Sequence, residues 1–132
     1  MNKNREKQFD QWNEIKKQIN SKGKTLYCHE RQVWWCAIGV NVGFEQDGSG
    51  NEFRRPVVIL KKLSLETCAV VPLTASKKEH PLRPIVGKVG NIEARAIITQ
   101  FRVIDTKRLV SKIGYLEKNE FKKIKKSVKD LI

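Results

Sequence analysis

Glu45–Leu60 reads EQDGSGNEFRRPVVIL: a polar, glycine-bearing loop, two arginines, a proline and an apolar run. Just ahead of it Val33–Ile38, VWWCAI, has the aromatic and β-branched content of a strand. The pattern predicts two strands joined by a long loop that carries Glu45, Gln46, Arg54 and Arg55. Pro56 fixes φ and lacks an N–H, which suits the first residue of a strand and sets Arg55 at the strand mouth. A solvated loop before an ordinary strand would read the same in isolation, so the rest of the chain has to decide.

Upstream, residues 1–24 carry Phe9, Trp12, Ile15 and Ile19 at helical spacing among Lys, Glu, Gln and Asn. The stripe predicts a helix, closed by Gly23, that either docks on the core or serves as an arm for a partner. From Tyr27 to Gly39 the composition changes to that of a strand. Asn41–Gly43 and Asp47–Asn51 have turn chemistry. Arg55–Leu60 and Thr67–Leu73 follow as strands across the short turn Lys61–Glu66, and Pro72 assigns the end of the latter to an edge or exit position.

Thr74–Lys78 is then a hydroxyl-and-lysine loop. Pro84–Val89 and Ala94–Arg102 read as further strands about a Gly90-Asn91 turn. Asp105–Leu109 reads as a short helical turn capped by Asp105, and Lys112–Tyr115 as a last short strand. Residues 118–132 close the chain as an amphipathic helix, with Phe121, Ile124, Val128 and Leu131 on one stripe. Its lysine-rich face either meets phosphates or keeps the helix soluble. Short, closely spaced strands between two helices predict an α+β fold, a small antiparallel β-barrel or strongly curved sheet. The expected division is an N-terminal helical extension over residues 1–29 and a barrel with its C-terminal helix over 30–132.

At 132 residues the chain suffices for one core. With 39% hydrophobic and 31% charged residues it reads as a soluble globular protein. No apolar run approaches the roughly 20 residues that span a bilayer, and no apolar signal core follows the basic N-terminus, so the expected setting is cytoplasmic, away from membranes. Twenty-seven Lys and Arg against 14 Asp and Glu leave a net charge of +13, which favours a polyanion or an acidic protein as partner. Cys28, Cys36 and Cys68 are odd in number and widely spaced, against a disulfide framework or a zinc site. Cys36 and Cys68 fall in apolar strand patterns. His29 and His80 form no ligand pattern, so neither a metal nor a cofactor is expected.

Polar side chains recur at the ends of apolar strands: Arg55, Thr74, and Gln100 with Arg102. Guanidinium and hydroxyl donors converging at a barrel mouth suit a phosphate. Val33-Trp34-Trp35, Gly43-Phe44-Glu45-Gln46 and Arg55–Leu60, with Val71-Pro72-Leu73-Thr74 and Ile98–Asp105 followed by Lys107-Arg108-Leu109, resemble the ordered blocks of MazF/PemK-type toxins. The resemblance covers residues 30–116.

That resemblance implies an SH3-like barrel, working as a homodimer. It implies an endoribonuclease, half of a type II toxin–antitoxin pair, that cuts single-stranded RNA without metal by 2′-OH attack, leaving 2′,3′-cyclic phosphate and 5′-OH ends. It assigns Arg55, Thr74 and Glu45 to catalysis and Gln46, Arg54, Ser76, Lys77, Gln100 and Arg102 to RNA binding. The implied partners are RNA and a cognate acidic antitoxin. There are two departures. Thr99 stands where family members often carry an acidic residue, and Asp47–Phe53 look like an insertion ahead of Arg55. Thr99 leaves open a second reading, a non-catalytic nucleic-acid- or protein-binding module on the same barrel.

Overall fold

The computed structural model describes residues 7–50 and 52–132; the first six residues of the expected N-terminal helix, and Asn51 in the loop, lie outside the described residues. The elements run α1 (Phe9–Lys22), β1 (Gln32–Ala37), β2 (Arg54–Lys62), β3 (Thr67–Thr74), β4 (Ile85–Val89), β5 (Ile92–Ala96), a 3₁₀ turn (Ile98–Gln100), β6 (Arg102–Asp105), a second 3₁₀ turn (Thr106–Arg108), β7 (Leu109–Tyr115) and α2 (Lys118–Leu131). The strands form a curled antiparallel sheet in the order β4-β5-β3-β2-β1-β7, with β6 also on β3. Register shifts between Ile59 and Lys61 in β2, and twice along β1 where it meets β7, add the local twist that curls it.

The apolar run of β2 is explained by burial on both faces. Val58 points into the main core with Val33, Leu73 and Ile98, closed by Phe121, Ile124 and Val128 of α2. Val57 and Ile59 point the other way, into a second cluster with Ile38, Val70 and Ile104. A central strand covered on both sides loses the alternation of a half-exposed one. The helix stripes are shorter than their sequence spacing suggests: Phe9 at the head of α1 and Leu131 at the tail of α2 are 47% and 39% exposed, because both helices overrun the core.

Three elements differ from the sequence expectation. The strand expected from Tyr27 begins only at Gln32, because Arg31 turns the chain at φ +75°. The last strand is longer than expected, starting at Leu109 rather than Lys112. The single strand expected over Ala94–Arg102 is broken by the first 3₁₀ turn. Ile97 and Ile98 are both buried there, past the end of the β5 ladder at Ala96. Their N–H groups donate to Pro72 O at 2.9 Å and Leu82 O at 3.1 Å.

The prolines are also placed differently. Pro72 is not at an edge: β3 is interior, paired with β2 through Val57↔Pro72. Its other side is shared between β6, along Thr67–Val70, and β5, at Leu73 and Thr74. Pro72 sits at the gap between those partners, where a missing N–H breaks no ladder. Pro56 is the third residue of β2 rather than the first, but the ladder with β3 begins only at Val57.

Cys28, Cys36 and Cys68 are free thiols, all fully buried. Burial pushes the Cys36 thiol from 9.0 up to about 12, against smaller opposing pulls from Arg108 and Arg102. The folded state therefore holds this proton longer than the unfolded chain. Its contribution to stability is full below pH 9.0 and is lost as pH climbs towards 12. Native protein at neutral pH should resist a thiol alkylating reagent and take up three adducts only on unfolding, read by intact mass; modification before unfolding would contradict the buried cluster. Among the described residues no helix is long and apolar enough to cross a membrane.

Candidate functional site

Strand alternation sends the two arginines of β2 to opposite sides. Arg54 lies opposite Ala37 and pairs with Glu52 at 2.6 Å. Its Nε is buried without a partner among the described residues. Arg55 lies opposite Cys36 and is held by backbone oxygens. Its Nε donates to Asp47 O at 2.7 Å and its Nη1 to Leu73 O at 3.1 Å. The Gln46 amide, oriented with its oxygen toward the guanidinium, accepts from Nε at 3.2 Å and Nη2 at 2.7 Å. Burial lowers the Arg55 pKa, with Asp47 opposing and Arg83 adding to the effect. A guanidinium remains charged at neutral pH through such a shift, so Arg55 is a fixed, partly desolvated cation.

Arg55 opens into a cleft of about 510 Å³ shared with Trp35, Pro56, Leu73, Thr74, Ser76, Asn91 and Ile113. Thr74 ends β3, and its Oγ1 accepts the Ser76 N–H at 3.1 Å, which leaves the hydroxyl proton to donate into the cleft. Alternation along β1 separates the two tryptophans. Trp34 packs on the second cluster and donates to Gln32 Oε1 at 3.0 Å, whereas Trp35 is 40% exposed on the cleft wall.

The cleft runs on, through its shared residues Ala75, Ser76 and Asn91, into one of about 560 Å³ lined by Lys77, Lys88, Glu93 and Arg95. Sequence reading finds Ser76 and Lys77 but misses Lys88, Asn91 and Arg95. These lie on the β4–β5 hairpin, and only its register, Lys88↔Glu93 and Ile85↔Arg95, brings them beside Lys77.

Glu45, Gln46, Gln100 and Arg102 line a different cleft, of about 280 Å³, together with Thr99. Of its lining residues only Glu45 is a carboxylate. Glu45 is exposed, and its Oε1 accepts the Val42 N–H at 2.9 Å. Gln100 holds the loop tip, accepting from Gln46 N at 3.2 Å and donating to Phe44 O at 3.4 Å. Gln46 thus links this cleft to Arg55. The candidates are therefore brought together in two groups, Arg55 with Thr74, Ser76 and Lys77, and Glu45 with Gln46, Gln100 and Arg102. Arg54 joins neither.

The expected insertion Asp47–Phe53 is anchored at both ends. Asp47 Oδ1 accepts the Asn41 N–H at 2.7 Å and Oδ2 meets Lys7 Nζ at 3.0 Å. Phe53 has φ +55° yet is buried, its ring 5.8 Å from Trp12 of α1 at an interplanar angle of 63°. A bulky residue in that region costs about 1–3 kcal/mol and persists only where packing compensates. No group of three or more His, Cys, Asp or Glu suited to a metal is found among the described residues.

The family model described as PemK-like, MazF-like toxin of type II toxin-antitoxin system matches residues 29–132. Among curated proteins none matches the chain. Among solved structures, MazF from Deinococcus radiodurans is similar, with a TM-score of 0.67 at 15% identity over 80% of this chain and 96% of that one. So are a mycobacterial endoribonuclease in complex with its cognate antitoxin (0.56, 13%, 80% and 98%) and the Mycobacterium tuberculosis toxin MazF-mt6 (0.57, 18%, 76% and 94%). At such identities the likeness establishes the fold.

Proposed function

The chain belongs to the PemK-like, MazF-like toxin family of type II toxin–antitoxin systems, and from that premise we propose that it is an endoribonuclease that cleaves single-stranded RNA without a metal ion. The observation that carries the reading is Arg55, a cation locked by two backbone carbonyls and an amide oxygen, facing the same cleft as the Thr74 hydroxyl. In the reaction the 2′-oxygen bonds to the adjacent phosphorus as the 5′-oxygen leaves, giving a 2′,3′-cyclic phosphate and a 5′-OH. Charge builds on the phosphoryl oxygens, and donors already fixed in place need not reorganise to meet it. Arg55 supplies that charge and Thr74 a hydrogen bond to the same phosphate. Glu45, in the adjoining cleft that Gln46 joins to Arg55, takes the 2′-OH proton, and water protonates the leaving 5′-oxygen.

Ser76 and Lys77, with Lys88 and Arg95, carry the RNA backbone away from the cut. Gln46, Gln100 and Arg102 bind on the other side of Arg55, and Trp35 offers a face on which an unpaired base stacks. Arg54 acts through its strand rather than from the cleft. The barrel works as a homodimer, and an acidic antitoxin segment that folds on binding covers the basic groove.

The test is incubation of the purified chain with long unstructured RNA in excess EDTA. Discrete fragments ending in 2′,3′-cyclic phosphate are expected. Intact RNA with binding retained would favour the non-catalytic module instead, a reading to which Thr99 lends weight because it leaves Glu45 as the carboxylate of its cleft. Cleavage that requires an added divalent ion would overturn the metal-free mechanism.

A further inference from the structure

We propose that α1, with Lys7 just ahead of it, is a clamp that sets the position of Arg55, so that a segment preceding the family's own core is a working part of the site. The proposal rests on the assignment of Arg55 to RNA cleavage. It extends that assignment to residues 7–22, which lie outside the stretch matched by the family model.

The path is continuous and short. Trp12 is 5% exposed and packs edge-on against Phe53, two residues before Arg55. The same indole covers the backbone of Gly39, where a Cβ would lie 2.1 Å from Trp12 Cε2, so only glycine admits the ring. Gly39 in turn ties the loop across its base. Its N–H donates to Phe53 O at 3.1 Å, and its carbonyl accepts the Gly48 N–H at 2.8 Å. On the other flank Lys7 Nζ donates to Gly43 O at 2.8 Å and pairs with the Asp47 carboxylate at 3.0 Å. The Asp47 carbonyl then receives Arg55 Nε at 2.7 Å.

The loop that cradles the guanidinium is thus gripped from both sides by groups contributed by the N-terminal segment. The left-handed backbone at Phe53 makes the grip consequential, because the Trp12 ring is the largest of the buried side chains that pack with Phe53, beside Ala37 and Val40, and offset that conformation just ahead of Arg55. Neither Trp12 nor Lys7 lines the clefts holding Arg55 or Glu45; Lys7 reaches the second only through the backbone carbonyl of Asn41, to which its Nζ also donates. They are positioning residues.

The test uses the full chain with Trp12→Ala, Trp12→Phe and Lys7→Met. The first readout, in free protein without RNA, is hydrogen exchange of the Arg55 Nε–H by nitrogen-15 NMR. Wild type should show a protected signal; Trp12→Ala and Lys7→Met should lose the protection, and Trp12→Phe should recover part of it. The second readout is cleavage. kcat should fall about 10–100-fold in the two disruptive variants with KM for RNA little changed, as for a misplaced transition-state group.

If Trp12→Ala lowers the melting temperature while Arg55 stays protected and kcat holds at temperatures where the variant is folded, α1 only adds bulk to the core and the proposal is overturned. If wild type cuts no RNA but the variants still lose the protection, the clamp stands and the ribonuclease reading falls. Should Trp12→Ala fail to fold, Lys7→Met decides, because it removes an ammonium at the surface and no core volume.

Discussion

Arg55→Ala should lower the single-turnover rate of RNA cleavage by about a thousandfold or more while the protein keeps its far-ultraviolet circular dichroism and a cooperative melt. Removing one preorganised donor from a charged transition state costs about 10²–10³ in rate, and a catalytic arginine at a phosphoryl centre reaches about 10³–10⁵. Arg55 belongs at the upper end of the first range because it is both charged and held by three acceptors. Its loss does not open the core. The guanidinium lines a cleft, and the oxygens it leaves can be reached by water. Arg55→Lys should rescue little, since an ammonium cannot satisfy Asp47 O and Leu73 O in the planar fork while also facing a phosphate. Cleavage by Arg55→Ala at the wild-type rate would remove the site from this cleft.

Ile98→Ala should cost about 2–5 kcal/mol of stability, measured as a lower urea midpoint at unchanged slope. Ile98 is fully buried in the main core with Leu73, Ala96, Phe121 and Ile124. It lies where the barrel turns from β5 to β6, its N–H donating to Leu82 O. A backbone held on both sides relaxes little around a deleted side chain, so most of the cavity remains. A loss below about 1 kcal/mol would mean that the turn collapses freely onto α2. Because Gln100 lies in the same turn and holds Phe44 O and Gln46 N, a loosened turn should also weaken RNA binding.

How far these sites could be read from the residues differs case by case. Arg55 and Thr74 were legible because each stands at the end of an apolar strand, and the ordered blocks resemble those of a known family. The split of Arg54 from Arg55 follows from the two-residue period of a strand, given that residue 54 is already in β2. Lys88, Asn91 and Arg95 were not legible, because their neighbourhood with Lys77 depends on a hairpin register that local composition does not specify. The Ala94–Arg102 strand failed for a related reason. β-branched isoleucines favour a strand locally, but the N–H groups of Ile97 and Ile98 find Pro72 O and Leu82 O rather than a continued ladder, and tertiary contacts prevailed over propensity.

The sequence by itself determined the two helices, the strands on either side of the Glu45–Leu60 stretch, the basic character and the family. These depend on periodicity, charge and short motifs, which are properties of neighbours along the chain. Only the tertiary structure decided that the N-terminal helix, read as an extension, and the inserted loop, read as a departure from the family, form one packed unit through Trp12 and Phe53. It also decided that Asp47 serves Arg55 through its backbone oxygen as well as its charge, and that the candidate residues divide between two clefts bridged by Gln46. The physical reason is common to all three. Each depends on contacts beyond immediate chain neighbours, fixed by how the loop folds back, by strand register and by the burial of aromatic rings, and no local pattern encodes which partner a ring or a carbonyl will meet.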